Sequence, residues 1–283
     1  MAGKSRTAAE GGAPEPPSDV VTTRKARATG KGRGATDMVG KALGLLAALG
    51  EFPDGAPAAE LARATGLPLS TAHRLLGSLV RDGFVEFESR SRRYTLGLQV
   101  FTLGQAVAQA RGLAGMARPV LEEVSATTGE ATLMAVRDGA EQLYVHYVQG
   151  PQGVSVIGRP GAHGPLHCTA QGKVLVALAP RPLREQLVES LELTPRGPNA
   201  ITDRDRFRDA ITEVRARGWA IADQEHEVGI RAVAVPVLGP DGVALAAIST
   251  AAPAYRASVE QLIDHVPLLA DAARRIAVLM PAR

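Results

Sequence analysis

Three short stretches combine residue types that could perform chemistry. His167-Cys168 places a base beside a thiol, Gly172-Lys173 resembles the end of a phosphate-binding loop, and Glu225-His226-Glu227 sets two carboxylates around an imidazole. A thiol nucleophile, a bound nucleotide phosphate and acid-base or metal-assisted hydrolysis are the corresponding chemistries. Each of them requires further residues at defined places in the chain.

Those further residues are missing. A nucleophilic cysteine needs a base brought to it in space and a third group that orients the base, so His167-Cys168 is better explained as a hydrogen-bonding histidine and a packed thiol. A phosphate-binding loop ending at Lys173 needs glycine at position 167 and Ser or Thr at position 174, where His and Val stand. His226 has no second histidine at metal-binding spacing, and Glu225 and Glu227 fit a solvated loop. We predict a protein that is not an enzyme and needs no metal or cofactor.

Composition limits the class of protein further. At 283 residues the chain can hold two domains, and 45% hydrophobic residues are too many for a disordered protein. No apolar run approaches the roughly 18 residues of a membrane span, and the basic N-terminus lacks the apolar block of a secretory signal. The single cysteine excludes an internal disulfide framework and a Cys-rich zinc site. We predict a soluble, cytoplasmic protein with no membrane partner.

Positive charge is concentrated at the front of the chain. Residues 1–36 carry seven Lys or Arg against three Asp or Glu, residues 37–111 carry eight against seven, and residues 112–283 carry seventeen against nineteen. This asymmetry favours a nucleic-acid partner for the basic part, although basic tails also serve solubility. Residues 1–36 are rich in Gly, Ala, Pro and Ser, so we predict that they form a disordered basic tail.

The first ordered domain is predicted over residues 37–95 and begins with two helices. Asp37 is a suitable N-cap for the first helix. Its apolar residues follow helical spacing: Val39, Leu43, Leu46 and Leu49. A short second helix with Leu61 and Ala62 turned inward should stop at Gly66, which can take the left-handed conformation that a helix end needs.

A third helix is predicted after a tight turn, with Ser70 as its N-cap. One face is apolar and should be buried: Ala72, Leu75, Leu76, Leu79 and Val80. The opposite face is polar and basic: Ser70, Thr71, His73, Arg74, Ser78 and Arg81. Two helices joined by a tight glycine-containing turn, the second with a basic outer face, are typical of a DNA-binding helix-turn-helix.

A β-hairpin, here called the wing, should follow this helix. Strands are predicted at 84–88 and 93–96, around a turn that carries Arg90, Arg92 and Arg93. Alone, such a turn is explained equally well by solvation. Directly after a helix-turn-helix it is typical of a wing that lies along DNA phosphates.

These elements predict a double-stranded operator DNA as partner. Thr71 and Arg74 should contact base edges in the major groove. Phosphates should be held by the remaining polar residues of the third helix and by the wing: Ser70, His73, Ser78, Arg90, Arg92 and Arg93. His73 could equally pack against the first helix. An adaptor that uses the same fold to bind protein is the alternative, and it would lack the steep salt dependence of DNA binding.

The rest of the chain is predicted as a linker helix at 96–112 and an α+β domain at 113–283. Leu96, Val100, Leu103 and Val107 recur at helical spacing, and this helix should join the domains and pair with another subunit. In the larger domain, strands are expected at 131–136, 142–148, 153–157, 230–238 and 244–250. Helices are expected at 116–128, 170–178, 204–217 and 258–279. One antiparallel sheet covered by helices suits a small-molecule sensor.

Three blocks of this sequence resemble the IclR family of bacterial regulators. The first runs from Glu60 to Phe84 and includes Ser70-Thr71-Ala72-His73-Arg74-Leu75-Leu76. The second is 164–173, and the third runs from Arg217-Gly218-Trp219 through 225–231 to 247–249. The resemblance covers roughly residues 37–283 and implies a winged helix-turn-helix, a GAF-like effector domain, and dimers that often form tetramers. It also implies a sequence-specific transcriptional regulator that represses or activates a metabolic operon under the control of a small-molecule effector.

The resemblance also implies a ligand class and a pocket. Family ligands are usually small carboxylates, aromatic acids or related metabolites. Carried onto matching positions, the lining candidates are Leu166, Asp223, Ile230, Ala232 and Ser249. This chain departs from the family's pattern at Ala232, where many members place cysteine, and at Ala251, where many place Ser or Thr. Of the remaining hydroxyls, only Ser249 should face the pocket, because Thr250 is its neighbour on a strand.

Overall fold

The computed structural model describes residues 38–110, residue 115 and residues 117–280. The chain divides into two compact units, the first ending at Val100 and the second beginning at Phe101. The predictions for the tail at 1–36 and for the cap at Asp37 lie outside the described residues. In the described part of the chain, no helix is long and apolar enough to cross a membrane.

The described residues of the first unit form three helices and a two-stranded sheet. In chain order they are α1 (Met38–Leu49), α2 (Ala58–Thr65), α3 (Leu69–Arg81), β1 (Val85–Glu88) and β2 (Arg93–Leu96). Their apolar side chains form one cluster, in which Leu45, Leu61 and Leu76 are fully buried. The predicted helix-turn-helix is confirmed, including Gly66, which ends α2 with a φ of 66°.

Two details of these helices differ from the prediction. In α1, Val39 and Leu43 are exposed, and Leu45 and Leu49 are the residues that face the core. The helix itself is confirmed, and of the four apolar residues at the predicted spacing Leu49 is buried and Leu46 is half-buried. In α3, Ser70 is not the N-cap: the helix already begins at Leu69, because Pro68 supplies the extended residue before it with a φ of −57°.

The second unit begins within α4 (Leu98–Ala110) and is built on one antiparallel sheet. The sheet order is β5-β4-β3-β8-β7-β6. The strands are β3 (Ala131–Asp138), β4 (Glu141–Val148), β5 (His163–Pro165), β6 (Ala220–Asp223), β7 (Ile230–Leu238) and β8 (Ala244–Pro253). The helices are α5 (Arg118–Thr128), α6 (Ala170–Ala177), α7 (Arg181–Ser190), α8 (Arg204–Arg217), α9 (Val259–Ile263) and α10 (Val266–Leu279). The predicted α+β class is confirmed.

Helices cover both faces of this sheet. One face, here called the α10 face, packs α5, α9 and α10 against alternate strand residues such as Val233, Val235 and Ile248. On the other face, here called the α6 face, α6, α7 and α8 pack against the strand residues that alternate with these, including Ala234 and Ala247. The alternation along each strand therefore separates two apolar cores.

The predicted strand at 153–157 is wrong. Among the residues that the structure describes, this segment has no strand partner. Its carbonyl groups accept hydrogen bonds from side chains instead: Tyr147 Oη donates to the carbonyl of Val156 at 3.0 Å, and Arg256 Nη1 to that of Val154 at 2.8 Å. Val154 and Ile157 are exposed rather than buried. Their apolar character suggested a strand, but no neighbouring strand is available to pair with them.

The predicted single helix at 258–279 is also wrong, because it is divided into α9 and α10. Pro267 lies in the first turn of α10. In one continuous helix its ring would clash with the carbonyl of Ile263 and would leave that carbonyl without a donor. Three short elements were not predicted: β5, α7 and β6.

Candidate nucleic-acid interface and ligand site

The outer side of α3 presents the polar residues that were predicted to contact DNA. Ser70, His73 and Arg74 are exposed, whereas Thr71 and Ser78 are half-buried. Arg74 Nη2 lies 3.5 Å from the sulfur of Met38 in α1, and Ser78 Oγ donates to the carbonyl of Arg74 at 3.4 Å. The structure thus gathers these residues on one side of one helix and leaves His73 outside the core.

The wing arginines divide into two groups. Arg90 and Arg92 are exposed in the turn between β1 and β2, and Arg92 has a φ of 54°. Arg93 is half-buried, and its guanidinium donates to the carbonyls of Asp54 and Gly55, with Nη2 at 2.7 Å from Gly55 O. No local pattern distinguishes Arg93 from the other two, because its partners lie 38 and 39 residues away.

On the α6 face, four alanines lie side by side across four strands. The register pairs Ala131 with Ala251, Ala251 with Ala232, and Ala232 with Ala222. The next row along the sheet contains Leu133, Ser249, Ala234 and Ala220. Because alanine has the smallest side chain after glycine, the first row forms a low apolar surface, here called the alanine floor.

Two tyrosines and the segment 149–162 lie over this floor. Tyr144, Tyr147 and Val156 pack against the cluster that contains the alanines. Gly158 passes so close that a Cβ there would be 2.6 Å from Leu133 Cδ2 and 2.7 Å from Tyr147 Cδ2. A larger residue at position 158 would therefore require the side chains of Leu133 and Tyr147 to move.

A β-bulge brings the two tyrosines together. Strand alternation would place Tyr144 and Tyr147, three residues apart, on opposite faces. The β3–β4 register shifts between Met134 and Ala135, so that Tyr147 pairs with Leu133 while Tyr144 pairs with Ala135. The extra residue in β4 returns both rings to the α6 face, and no sequence pattern indicated this.

Polar side chains of α6 are buried beside the same floor. Gln171 Nε2 donates to the sheet carbonyls of Leu133 at 3.1 Å and Ala247 at 3.3 Å. Lys173 Nζ is 2.5 Å from Glu225 Oε1, and both side chains are buried. Within the described residues, the second oxygen of Glu225 has no hydrogen-bond partner. Burial raises the pKa of the Glu225 carboxyl, and the nearby Lys173 ammonium opposes that shift.

The structure also places Cys168 next to His226, which the sequence did not predict. Cys168 Sγ and His226 Nδ1 are 3.8 Å apart. Burial raises the pKa of the Cys168 thiol to about 12, and burial also lowers the pKa of His226. A thiol that stays protonated near neutral pH is a poor nucleophile. His167 points elsewhere and bonds to the carbonyl of Thr194 at 2.9 Å through Nε2.

The five predicted lining residues do not share one face of the sheet. Ala232 and Ser249 lie on the α6 face, Ile230 is on the same side of β7 by alternation, and Leu166 is buried in the core beneath α6. Asp223 is the exception. Its carboxylate is 2.6 Å from Arg231 Nε, and Arg231 alternates with Ala232 toward the opposite face.

The two hydroxyls of β8 lie on opposite faces of the sheet, as predicted. Ser249 lies on the α6 face, in the row with Leu133 and Ala234. Thr250 Oγ1 bonds to His265 Nδ1 at 3.2 Å on the α10 face. Missed by the sequence reasoning were Gln171, the tyrosines and the Lys173–Glu225 pair, whose members are 52 residues apart.

Comparison with known domains identifies both units. Residues 38–89 match the model described as IclR helix-turn-helix domain. Residues 105–278 match the model described as bacterial transcriptional regulator IclR C-terminal. The two matches lie in the same order as the two units and together span most of the described chain.

Individual proteins agree with these matches. The regulator KdgR of Escherichia coli is 32% identical over 240 residues, which cover 85% of this chain and 91% of KdgR. The Pca regulon regulatory protein of Pseudomonas putida is 32% identical over 76% of this chain and 74% of its own length. An IclR homologue from Microbacterium hydrocarbonoxydans, crystallised with 4-hydroxybenzoate, has a TM-score of 0.76 at 27% identity, covering 86% of this chain and 98% of that one.

These relatives are transcriptional regulators and form a non-enzymatic family, in agreement with the absence of a supported catalytic motif in the sequence. Their domain order, a helix-turn-helix followed by a C-terminal effector domain, is the order found here. The chain belongs to the IclR family of bacterial transcriptional regulators, with a DNA-binding first unit and an effector-binding second unit.

Proposed function

We propose that α3 enters the major groove of operator DNA and that Thr71 and Arg74 contact base edges. The observation that carries this proposal is the polar outer side of α3, where Arg74 is exposed while Ala72, Leu75 and Leu76 are buried behind it. An arginine at this place can donate two hydrogen bonds to one guanine. Because its target is the bacterial chromosome, the protein acts in the cytoplasm.

Phosphates are held, in this proposal, by the rest of the outer surface of the first unit. Ser70, His73 and Ser78 flank the base-reading residues on α3, and Arg90 and Arg92 lie in the turn of the wing. None of these arginines forms an ion pair with another described side chain, so their charges are available to DNA. Such contacts add affinity without adding sequence preference.

Salt dependence tests the role of the wing. The double variant Arg90→Ala/Arg92→Ala should bind all duplexes more weakly and lower the slope of log K against log salt by up to about two units per subunit. Arg137→Ala in the second unit is the control and should leave the slope unchanged. A loss confined to the cognate operator would mean that the wing reads bases, and an unchanged slope would place the wing away from DNA.

For the second unit, we propose that the effector binds over the alanine floor and under the segment 149–162. The alanine floor and the rings of Tyr144 and Tyr147 suit a planar aromatic acid, with a small carboxylate as the alternative. Leu166, Ile230, Ala232 and Ser249 belong to this site in our proposal. Asp223 supports it from the other face through Arg231. The 4-hydroxybenzoate held by the Microbacterium homologue belongs to the same chemical class.

A titration tests the site. Aromatic acids beginning with 4-hydroxybenzoate, and small carboxylates, are added to the full-length protein while its thermal unfolding is followed. A ligand that binds only the folded state raises stability by RT ln(1 + [L]/Kd). Ala232→Leu fills the floor and should abolish the shift, whereas Ala254→Leu, outside the floor, should not. An equal shift in both variants would place the ligand elsewhere.

We also propose that two chains pair through α4 and that such dimers can associate into a tetramer. No residue of α4 is buried, although it carries large apolar side chains. Leu98, Phe101, Leu103 and Val107 are each at least half exposed. A helix of 13 residues is marginal unless its apolar side chains are covered. Light scattering of Phe101→Glu/Leu103→Glu should show a smaller assembly than the wild type, and an unchanged mass would exclude this interface.

A further inference from the structure

The second strand of the wing is tied to the connection between α1 and α2 by the Arg93 side chain. Arg93 Nε lies 3.0 Å from the carbonyl oxygen of Asp54 and 3.2 Å from that of Gly55. Nη2 lies 2.7 Å from the same Gly55 oxygen. One planar guanidinium therefore engages two consecutive carbonyl groups.

The backbone makes a second connection at the same place. Ala56 and Tyr94 exchange both hydrogen bonds, with N–O distances of 3.0 and 2.9 Å. Gly55 has a φ of 69°, and a Cβ there would lie 2.5 Å from Tyr94 O and 2.7 Å from Thr95 Cγ2. The α1–α2 connection at 54–56 and strand β2 thus meet in a close contact, here called the seam. The seam has no room for a larger residue at position 55.

The wing needs such a seam. A hairpin of two strands is marginally stable by itself, and each strand of this one has four residues. Val85 and Tyr94 of the hairpin are buried in the core of the first unit, whereas Phe87, whose ring centroid lies 4.7 Å from that of Tyr94, remains partly exposed. The core therefore holds one side of the hairpin, and the angle at which the turn is presented also depends on the contacts of Arg93, the strand residue next to the turn.

We propose that Arg93 is a positioning residue that fixes the orientation of the wing and makes no phosphate contact itself. This inference rests on the proposal that the wing lies on DNA. In this proposal Arg90 and Arg92 contact the phosphates, and Arg93 holds the wing in the orientation that these contacts need. Lysine cannot replace it, because one ammonium on a flexible stem lacks the planar fork that reaches both carbonyls.

A spin label tests the positioning role without DNA. Ser89→Cys places a thiol on the exposed wing, and buried Cys168 does not compete for the label. In full-length protein, the label should become more mobile when Arg93→Lys, Arg93→Ala or Gly55→Ala is added. Arg90→Ala is the control and should leave mobility unchanged. Circular dichroism of each variant verifies that the unit remains folded. Unchanged mobility in folded Arg93→Lys and Gly55→Ala would overturn the proposal.

Binding to duplex DNA at several salt concentrations separates positioning from charge. Arg93→Lys and Gly55→Ala should bind roughly tenfold more weakly with the wild-type salt slope, since a mobile element must be ordered on binding. If Arg93 contacts phosphate, Arg93→Lys will bind like the wild type and Arg93→Ala will lose about one unit of slope. That result would overturn the proposal.

The same measurements distinguish a failure of the Arg93 proposal from a failure of the proposal that the wing contacts DNA. If Arg90→Ala also keeps the wild-type slope, the wing does not lie on DNA, and the proposed interface fails. The label mobility still decides the role of Arg93 in that case, because it is recorded without nucleic acid. Increased mobility in Arg93→Lys then supports the seam, and unchanged mobility refutes it.

Discussion

The two units keep their polar side chains in different places. In the first unit, the described residues contribute no polar or charged side chain to the buried set. In the second unit the buried set includes many of them: Ser125, Glu130, Thr132, Gln142, His167, Thr169, Gln171, Lys173, Glu225, Ser249 and Thr250. The first unit therefore keeps its polar groups at the surface, whereas the second unit holds many of them inside, bonded to neighbouring groups such as His265 and Arg256.

This difference has an energetic consequence. The first unit is held together by apolar packing, so the exposed residues that serve DNA can be changed with little effect on folding. In the second unit a buried polar group costs free energy unless it is paired, so binding residues and stabilising residues are interleaved. Substitutions of exposed polar residues in the first unit should therefore change DNA binding with little change in stability. Substitutions of buried polar residues in the second unit should change both effector binding and stability.

The largest effect is expected at the buried Lys173–Glu225 pair. Lys173→Met leaves the Glu225 carboxylate without its cation and should destabilise the second unit by about 3–5 kcal/mol. Urea unfolding followed by Trp219 measures this directly, because the only tryptophan lies in that unit. Lys173→Met/Glu225→Gln should recover most of the loss. A loss below about 1 kcal/mol would mean that the pair behaves like a solvated one.

The same variant has a defined pH dependence. Burial already raises the pKa of Glu225, and removal of Lys173 raises it further. A carboxyl with a raised pKa keeps its proton in the folded state while the unfolded state has lost it, so its contribution to stability falls as pH rises through this range. The destabilisation by Lys173→Met should therefore be smaller at about pH 5 than at about pH 7. An equal loss at both pH values would contradict the assignment.

A smaller effect, on function alone, is expected in the first unit. Arg74→Ala should weaken operator binding by roughly 1–3 kcal/mol and relax discrimination at one base position per half-site. Its unfolding free energy should change by less than about 0.5 kcal/mol, because the side chain is exposed. Footprinting on an operator and on a permuted sequence measures the first effect. Unchanged affinity and footprint would remove Arg74 from the groove.

Neighbouring hydroxyls in β8 make a matched pair within the second unit. Ser249→Ala should weaken effector binding by about 1–3 kcal/mol, because a ligand group is left unpaired. Thr250→Val keeps the shape but loses the bond to His265, so it should lower stability by about 1 kcal/mol and leave the effector affinity unchanged. Calorimetric titration and urea unfolding of both variants measure the two effects. Equal effector dissociation constants in all three proteins would exclude Ser249 from the site.

The smallest effect is expected when the pH is lowered. Burial lowers the pKa of His167, His226 and His265, and all three lie in the second unit. Each histidine is neutral in the folded state at a pH where the unfolded state binds a proton. The stability that these residues contribute above the ordinary histidine pKa is therefore lost as the pH falls. The three histidines should therefore lower the stability of the second unit as the pH falls from about 7.5 to about 5.5, while the raised pKa of Glu225 opposes part of this loss. His265→Gln should lose less stability than the wild type over the same pH range in urea unfolding, and an equal loss in both proteins would contradict the role of His265.

Much of the first unit could be predicted from its sequence because its signals are local. The turn at Gly66 and the buried face of α3 each depend on residues within a few positions of one another. The errors were local as well, namely the start of α3 and the exposure of Val39 and Leu43 in α1. The role of Arg93 could not be predicted, because its partners in the α1–α2 connection are distant in sequence.

In the second unit, most helices and strands could be predicted, but the way in which they pack together could not. The helix Arg204–Arg217 and the strand Ile230–Leu238 have the bounds that periodicity indicated. The strand prediction at 153–157 was wrong because strand formation depends on a partner, which a local pattern does not contain. The side of the sheet to which Asp223 points was likewise not given by its motif.

By itself the sequence determined the helix-turn-helix, the α+β class and the family, because hydrophobic period, turn residues and motif order are properties of contiguous residues. Only the tertiary structure decided which polar groups meet. Alignment of the four floor alanines required the register of four strands, and the convergence of Tyr144 and Tyr147 required a bulge. The pairing of Lys173 with Glu225 required α6 to pack beside the loop after β6. Register and packing are set by the whole core, so residues far apart in sequence become neighbours only when the sheet is complete.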